Sequence, residues 1–556
     1  MSKISGGHLV ARYLSEVEGV STVFSIPGGH IDRIYDGFLE YGTRLIVVRH
    51  EQAAAMMAHA WSIFAGQPGV CLVTAGPGFT NALTGVVNAY LDNVPIVVLS
   101  GTAPVRDWEK GALQDMNQLD MIKPVVKWCD TCYDVKRIPE YLSKAFRHAV
   151  SGRPGPVFLE LPPDVLNISV DEEEVVYPRK GSMVYRAPAD ADSIKEAAGL
   201  INKAEKPLII GGSGVGFSKC DEELSEFVDK TGIPFVLLGN GRGTIPDDHP
   251  LSLLDGGFTS VTIALSQADL IIVLGIRFNW LLTFGQGFPQ AKVIRVDIEP
   301  TEIDRNRASD IGLVGDIGLT LKQLNDEVGK KDHSGWVKGI RDMYSPLIAD
   351  EVRTRETASE PIHPGRLVEQ VRKTIKDDAV YVVDGGDASY FGLVGLKAKG
   401  KSSVIGAASG LMGCLGTGVP FGIAAKLARP ERTVVVLNGD GAFGLNAMEF
   451  DTAVRYNIPF VCVIVNDQAW GMIKHGQEMV YGNERVVGSE LGVVHYEKVV
   501  EGLGGYGEFV TRDEEVIPAL ERAIACGKPA CVNVLTDPTV TSPATLLFVD
   551  ALKMEE

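Results

Sequence analysis

Residues 437–472 read LNGDGAFGLNAMEFDTAVRYNIPFVCVIVNDQAWGM. The β-branched run Val434 to Val436 leads into Gly439-Asp440-Gly441, a helical stretch follows, and a second β-rich run ends at Asn466. Strand, glycine turn, helix and strand make one βαβ unit, whose strands lie parallel in one sheet. The spacing brings Asp440 and Asn466 to the same sheet edge. One carboxylate and one amide oxygen are a poor all-protein cage. They are a good partial shell for Mg²⁺, which keeps waters and takes phosphate oxygens. The glycines beside Asp440 permit close backbone approach, and a helix start favours an anion. A Gly-Asp-Gly triplet alone is an ordinary loop. With Asn466 at this spacing and Gly471-Met472 behind it, the stretch reads as a metal–diphosphate site.

The same alternation runs through the chain. RLIVVRH (44–50), GVCLVTAG (69–76), PIVVLSG (95–101) and GPVFLELP (155–162) read as strands in the first third. PLIIGG (207–212), LIIVLG (270–275) and KVIRVDI (292–298) do so in the middle, and AVYVVDGG (379–386) and ACVNVLTD (530–537) near the end. Short apolar runs separated by amphipathic helices predict an α/β chain with mainly parallel, doubly wound sheets. Two segments interrupt the rhythm, 166–190 with its acidic run and 329–363, and both read as linkers or surface crossings. They divide the chain into three domains at 1–175, 190–330 and 360–556, the first and last similar in size and strand pattern.

At 556 residues, 45% hydrophobic and 22% charged, the composition is that of an ordinary soluble globular protein. A net charge of −18 disfavours nucleic acid or an acidic membrane as partner. It leaves room for small anions held by backbone dipoles. No apolar run approaches the ~18 residues of a membrane span, and the N-terminal segment has no apolar core of a secretory leader. Eight scattered cysteines, several in apolar runs, suit a reduced cytoplasm. The Cys129/Cys132 spacing mimics a redox motif, but Pro139 separates it from the following helix, so buried thiols are the simpler reading.

Four further stretches carry chemistry-bearing residues at strand ends. SIPGGHIDRIYD (25–36) sets a titratable His30 at the lip of a Pro-Gly-Gly turn, and VRHEQAAAMMAHAW (48–61) opens a helix on Glu51. TAGPGFTN (74–81) and DGGDASYF (384–391) are glycine turns between strand and helix. A fifth stretch, SGLMGCLGTGVPFGIAA (409–425), is rich in small residues and isolates the large Leu415. A carboxylate in the place of Glu51 commonly caps a helix. The alternative is a catalytic acid facing a heterocycle in a dry cleft.

These motifs, in this order and over essentially the whole chain, resemble the thiamine-diphosphate-dependent decarboxylase and carboligase superfamily, of the acetohydroxyacid-synthase type. The resemblance implies a pyrimidine-binding domain, a middle domain and a diphosphate-binding domain. It implies Mg²⁺ held by Asp440, Asn466 and the carbonyl of Gln468, with Gly386, Asp387, Ala388, Gly441 and Ala442 along the diphosphate. Leu415 would be the wedge that bends the cofactor. Thr74, Pro77 and Asn81, with the backbones of Gly413, Gly471 and Met472, would line the pyrimidine side. Asp467 stands where relatives usually carry a second Asn, which bears on the tuning of the metal site. Glu51 would bond the pyrimidine ring and so promote loss of the thiazolium C2 proton; the hard chemistry is the cofactor's. Since such a site draws its two cofactor-binding domains from two subunits, a homodimer is the minimum and a homotetramer is expected.

Within the superfamily the first third is most similar to benzaldehyde lyase, through His30 and the Leu113-Gln114 pair of ALQDMNQLDMIKPVVKW (112–128). Acetohydroxyacid synthases share HEQAAA and KPVVKW but usually carry Phe before the Gln, and a Trp where Gly476 stands here, so more room is expected beside Gly476. The middle domain, GIRFNWLLTFG (275–285) and VIRVDIEP (293–300), resembles 2-hydroxyacyl-CoA lyases and oxalyl-CoA decarboxylases, and GGSGVGFS (211–218) is a degenerate dinucleotide fingerprint. FAD or ADP is therefore an expectation for that domain.

The resulting expectation is a thiamine-diphosphate- and Mg²⁺-dependent carbon–carbon lyase or carboligase. It would make or cleave 2-hydroxy ketones from aldehydes or 2-keto acids, with Glu51, His30 and Gln114 catalytic. Acetolactate synthesis from pyruvate and 2-hydroxyacyl-CoA cleavage are the alternatives.

Overall fold

The computed structural model describes residues 3–375, 378–406 and 410–553. Three parallel sheets follow one another along the chain. The first contains β1 (Thr22–Ser25), β2 (Arg44–Val47), β3 (Gly69–Val73), β4 (Ile96–Gly101), β5 (Trp128–Thr131) and β6 (Val157–Leu161), in the order β2-β1-β3-β4-β6-β5. The second contains β7 (Pro207–Gly211), β8 (Phe235–Leu237), β9 (Leu270–Leu274), β10 (Lys292–Asp297) and β11 (Ile311–Val314), in the order β8-β7-β9-β10-β11. The third contains β12 (Val380–Asp384), β13 (Val404–Gly406), β14 (Val434–Gly439), β15 (Val461–Asn466), β16 (Tyr506–Val510) and β17 (Ala530–Leu535), in the order β13-β12-β14-β15-β17-β16. The first and third sheets thus share one topology. A short antiparallel pair, Lys3–Ser5 with Ser169–Asp171, closes the edge of the first domain.

The central strands are uniformly buried, as sheets covered by helices on both faces require. In each sheet the order reverses beside its first strand. Ligands sit at the carboxyl ends of strands at such a switch point. The pairing of Gly439 with Val465 brings Asp440 and Asn466 level at that edge of the third sheet. The first and third domains share one core. Its centre is the packing of α1 (Glu51–Ala65) on α2 (Pro77–Leu91) and α4 (Gly418–Ala428); the helix α3 (Asp387–Gly395) lies between α2 and α4 in chain order. Ala53, Ala54, Ala55 and Ala58 on α1 are all buried, and such small side chains let helices approach closely.

One segment departs from the sequence reading. Within 329–363, read as a crossing, Ser334–Tyr344 is a helix that buries Trp336, Val337, Ile340 and Tyr344 against the middle domain. The i, i+1, i+4, i+8 spacing makes one apolar stripe, and the flanking charges masked it. The Cys129/Cys132 pair behaves as expected of separate thiols: Cys129 lies within β5, Cys132 is buried beyond it, and all eight cysteines are free. No helix among the described residues is long and apolar enough to cross a membrane.

Candidate active site

The first cluster gathers at the carboxyl ends of β1 and β3. Glu51 is the first residue of α1, buried to 8% exposure, and its Oε2 accepts a hydrogen bond from Asn81 Nδ2 at 3.0 Å. Pro77 and Gly78 open α2, and a Cβ on Gly78 would stand 3.5 Å from Glu51 Oε1. The carboxyl therefore lies across the start of α2, where the helix dipole is positive. His30 follows the β1 turn, with Nδ1 3.4 Å from Thr74 Oγ1. Burial lowers the His30 pKa, partly offset by the Leu113 backbone. Gly28 allows this turn to touch the next: a Cβ there would lie 2.4 Å from the Thr74 side chain.

Gln114 reaches the same place from the loop after β4. Its backbone is left-handed, at φ +61°, and its side chain covers Gly76. Its Oε1 is buried without a hydrogen-bond partner among the described residues. The structure thus brings His30, Glu51, Thr74, Pro77, Asn81 and Gln114 together. It adds Gln118, a residue of the same quoted stretch to which no role had been attached. Gln118 Oε1 accepts from Gly76 N–H at 3.1 Å, while Nε2 donates to Gly101 O at 3.0 Å and to Glu160 Oε1 at 2.9 Å. Thr131 Oγ1 donates to the other Glu160 oxygen at 2.6 Å.

The second cluster lies at the ends of β12, β14 and β15. Asp440 is the first residue of α5 (Asp440–Asn446), 2% exposed; Oδ1 accepts from Gly441 N–H at 2.9 Å, and Oδ2 has no partner among the described residues other than the Asp467 carboxyl. The side chain in contact with Asp440 is Asp467, not Asn466. Burial and the neighbouring carboxylate both push the Asp440 pKa up. Asn466 is turned away: Nδ2 donates to Asn533 Oδ1 at 2.9 Å and Oδ1 accepts from Gln468 N–H at 3.1 Å. The Gln468 carbonyl is likewise committed, accepting from Leu491 N–H at 2.8 Å and Gly492 N–H at 3.0 Å. At Ala469 no such hydrogen bond to the carbonyl is present among the described residues. The oxygens left to hold a cation are therefore those of Asp440, Asp467 and the Ala469 carbonyl rather than Asn466 and Gln468. The reason is geometric: Asn466 still belongs to β15 and faces the neighbouring strand, whereas Asp467 is one residue past the strand end.

The glycines of this cluster are close-approach positions. A Cβ on Gly471, at the start of α6 (Gly471–Tyr481), would lie 2.0 Å from Asp467 Oδ2, one on Gly441 2.7 Å from the Trp470 ring, and one on Gly386 2.8 Å from Met472. Asp387 and Ala388 open α3, but the Asp387 carboxylate is occupied. It pairs with His475 Nδ1 at 2.9 Å and accepts from Ser542 Oγ and Thr545 Oγ1 at 2.5 Å each. Only its backbone remains for an anion. Burial opposes charge on His475, but the Asp387 carboxylate and the Pro538 carbonyl outweigh it and raise the pKa. Ala442 is buried in α5. The glycine-rich stretch is described from Gly410 onward; Gly413 is exposed at φ +60° and Leu415 is half-buried. Beside Gly476, Val549 of α7 (Pro543–Lys553) lies 3.6 Å from where a Cβ would be, an ordinary van der Waals contact.

At the middle-domain switch point the turns after β7 and β9 touch, with Gly214 N–H donating to Gly275 O at 3.0 Å. Beside them Arg153 of the first domain meets Glu302 at 2.8 Å, and burial raises the Asp297 pKa to about 6.

Comparison with known proteins matches each domain. The N-terminal TPP binding domain model of thiamine pyrophosphate enzymes matches residues 4–121, the central domain model 194–324, and the C-terminal TPP binding domain model 384–534. The chain belongs to the thiamine pyrophosphate enzyme family. Its cofactor is thiamine diphosphate, and the two clusters lie in the two TPP-binding domains. An acetolactate synthase large subunit of Mycobacterium tuberculosis is 37% identical over 97% of this chain and 96% of its own length. A 2-hydroxyacyl-CoA lyase of Arabidopsis thaliana is 33% identical, covering 96% of each chain. Acetolactate synthase isozyme 3 of Escherichia coli is 33% identical over 94% of this chain and 93% of its own. Thiamine pyrophosphate enzymes with both synthase and lyase activities thus stand near it.

The residues fit the cofactor. An unpartnered buried carboxylate oxygen on Asp440 faces a second acid, glycines without room for a Cβ line the turn, and a buried carboxyl with an amide partner stands at the pyrimidine domain.

Proposed function

We propose that the chain is a thiamine-diphosphate- and Mg²⁺-dependent carbon–carbon lyase or carboligase that makes or cleaves 2-hydroxy ketones from aldehydes or 2-keto acids. The observation that carries this is the polar pair at the first cluster. His30 is held through Nδ1 near Thr74, and Gln114 presents a buried, unpartnered Oε1 beside Gly76. An amide acceptor and an imidazole whose neutral form is favoured suit a substrate that interconverts hydroxyl and carbonyl.

When bound, thiamine diphosphate supplies a carbon nucleophile that adds to a carbonyl and accepts the electron pair of the broken carbon–carbon bond. Glu51 would hydrogen-bond the aminopyrimidine, with Asn81 fixing the orientation of its carboxyl. Asp440, Asp467 and the Ala469 carbonyl would hold Mg²⁺, and backbone N–H groups at the starts of α3 and α5 would bind the diphosphate. His30 moves a proton to or from the substrate oxygen, and Gln114 accepts the hydroxyl hydrogen.

Two copies complete the site in this reading. Among the described residues no hydrogen bond or ion pair joins the Glu51 cluster to the Asp440 cluster. Apolar side chains stand exposed beside each: Leu113 next to Gln114, and Leu445, Met448 and Ile473 beside the cation turn. A homodimer or homotetramer covers them. The free thiols support a cytoplasmic setting. An FAD or ADP moiety in the middle domain is supported by Arg153 and Arg277 near the switch point, and nucleotide released on denaturation tests it.

A second reading, acetolactate synthesis from pyruvate, is favoured by the Mycobacterium relative. Pyruvate, acetoin, benzoin and a 2-hydroxyacyl-CoA, each offered with thiamine diphosphate and Mg²⁺, separate the readings. Turnover of acetoin or benzoin is the expected result. Acetolactate as the sole product from pyruvate, or product from the CoA thioester alone, overturns the first reading.

A further inference from the structure

The cation half of the site is built from two acids. Asp440 and Asp467 project from the ends of neighbouring strands into mutual contact. Asp440 is 2% exposed, and among the described residues its Oδ2 has no partner other than the Asp467 carboxyl. Asp467 Oδ1 accepts from Ala469 N–H at 3.2 Å, while Oδ2 lies where a Cβ on Gly471 would intrude to 2.0 Å. Among the described residues no lysine or arginine pairs with either carboxylate. The nearest cationic side chain, His475, has both ring nitrogens committed, Nδ1 to Asp387 at 2.9 Å and Nε2 to Pro538 O at 3.0 Å.

Two like charges in a buried contact are unfavourable, so without a cation the pair is held together by a shared proton, which a divalent ion displaces. A single carboxylate leaves a divalent cation under-neutralised, so its charge must be completed by phosphate oxygens. Two carboxylates complete it from the protein alone, with waters in the remaining positions. We propose that the Asp440–Asp467 pair loads a divalent cation of the Mg²⁺ or Mn²⁺ class before the diphosphate arrives, and without it. Asp467 is the residue that makes the cation site independent of the cofactor. This inference rests on the reading of the second cluster as the metal–diphosphate site.

Titration of the metal-stripped full chain with Mn²⁺ alone, followed by loss of the free-ion paramagnetic resonance signal, tests the proposal. The expected result is one equivalent bound per chain without thiamine diphosphate. Asp467→Asn, nearly isosteric, is expected to weaken that binding at least tenfold at an unchanged thermal midpoint. Adding thiamine diphosphate is expected to restore Mn²⁺ binding to Asp467→Asn. Equal affinity in the two proteins, or wild-type binding that appears only with thiamine diphosphate, overturns the inference and leaves the metal–diphosphate reading standing. Retention of the equivalent in Asp440→Asn/Asp467→Asn also overturns it, by placing the ion elsewhere. Absence of Mn²⁺ binding to wild type even with thiamine diphosphate removes both the inference and the reading beneath it.

Discussion

Asn81 donates its amide N–H to Glu51 Oε2 across 3.0 Å, joining the first turn of α2 to the first residue of α1. The pair fixes a buried carboxyl at the meeting of two helix starts, where an acidic group is stabilised by both dipoles. Glu51→Gln keeps the size and the Asn81 contact but removes the titrating oxygen. The expected outcome is an unchanged circular dichroism spectrum and a fall in turnover of about 10²–10⁴, the usual range for a positioned acid–base group. Near-wild-type turnover in Glu51→Gln sinks its assigned role.

Gln118 joins two strands and a turn. It satisfies Gly76 N–H, Gly101 O and Glu160 together, and it is 1% exposed. Gln118→Leu leaves these groups buried and unpaired, each at a cost of about 1–3 kcal/mol. An unfolding free energy in urea lowered by about 3 kcal/mol or more is expected, together with loss of activity as the Gly76 turn relaxes. Gln118→Glu restores the acceptor for Gly76 but sets a carboxylate against Glu160, so it rescues little. An unfolding free energy within ~0.5 kcal/mol of wild type in Gln118→Leu would show that the network does not hold the turn.

The topology was legible because β-branched runs end in glycine turns at regular spacing, and parallel sheets bury such runs on both faces. That Glu51, Asn81, His30 and Thr74 gather at one place was legible in part, since each lies in or just after a turn that follows a strand of the first sheet. The oxygens free to hold a cation were not. Asn466 and Asp467 are adjacent, and only the position of the strand end decides which one faces Asp440. Gln468 adopts φ +64°, which turns its carbonyl toward Leu491 and Gly492, and nothing in a glutamine announces a left-handed backbone. The Val549 contact beside Gly476 was invisible for a different reason: Val549 is far along the chain and reaches it only through the packing of α7 on α6.

His30 should set the acid limb of the pH profile. Burial lowers its pKa, so the neutral ring persists to a lower pH than the ordinary value near 6.5. As pH falls through the shifted value the ring takes a proton and ceases to accept one from the substrate. The limb in kcat/KM is therefore expected below pH 6.5. In His30→Ala it should vanish, with cleavage slowed more than cofactor affinity is weakened. A limb that survives unchanged in His30→Ala removes this residue from the proton transfer.

His59 makes folding stability sensitive to acid. It lies wholly buried on α1, with Nδ1 3.3 Å from Asn88 Nδ2, Nε2 3.7 Å from Asp92 and the Phe421 ring at 5.0 Å. Burial pushes its pKa down to about 3. The unfolded imidazole titrates near 6.5, so the contribution is fully present above that pH. It is lost at about 1.4 kcal/mol per unit as pH falls from there toward 3. Buried carboxyls act in the opposite sense. Asp92 is raised to about 7 and Asp384 to about 6, so the folded chain holds protons that the unfolded chain has released, and acid favours the fold through them. A comparison of wild type with His59→Gln isolates the histidine. The two urea midpoints should keep a constant gap above pH 6.5 and move in favour of His59→Gln below it, when measured at pH 8, 6.5, 5.5 and 4.5. Parallel curves across that whole range would mean that His59 does not stay neutral in the folded chain.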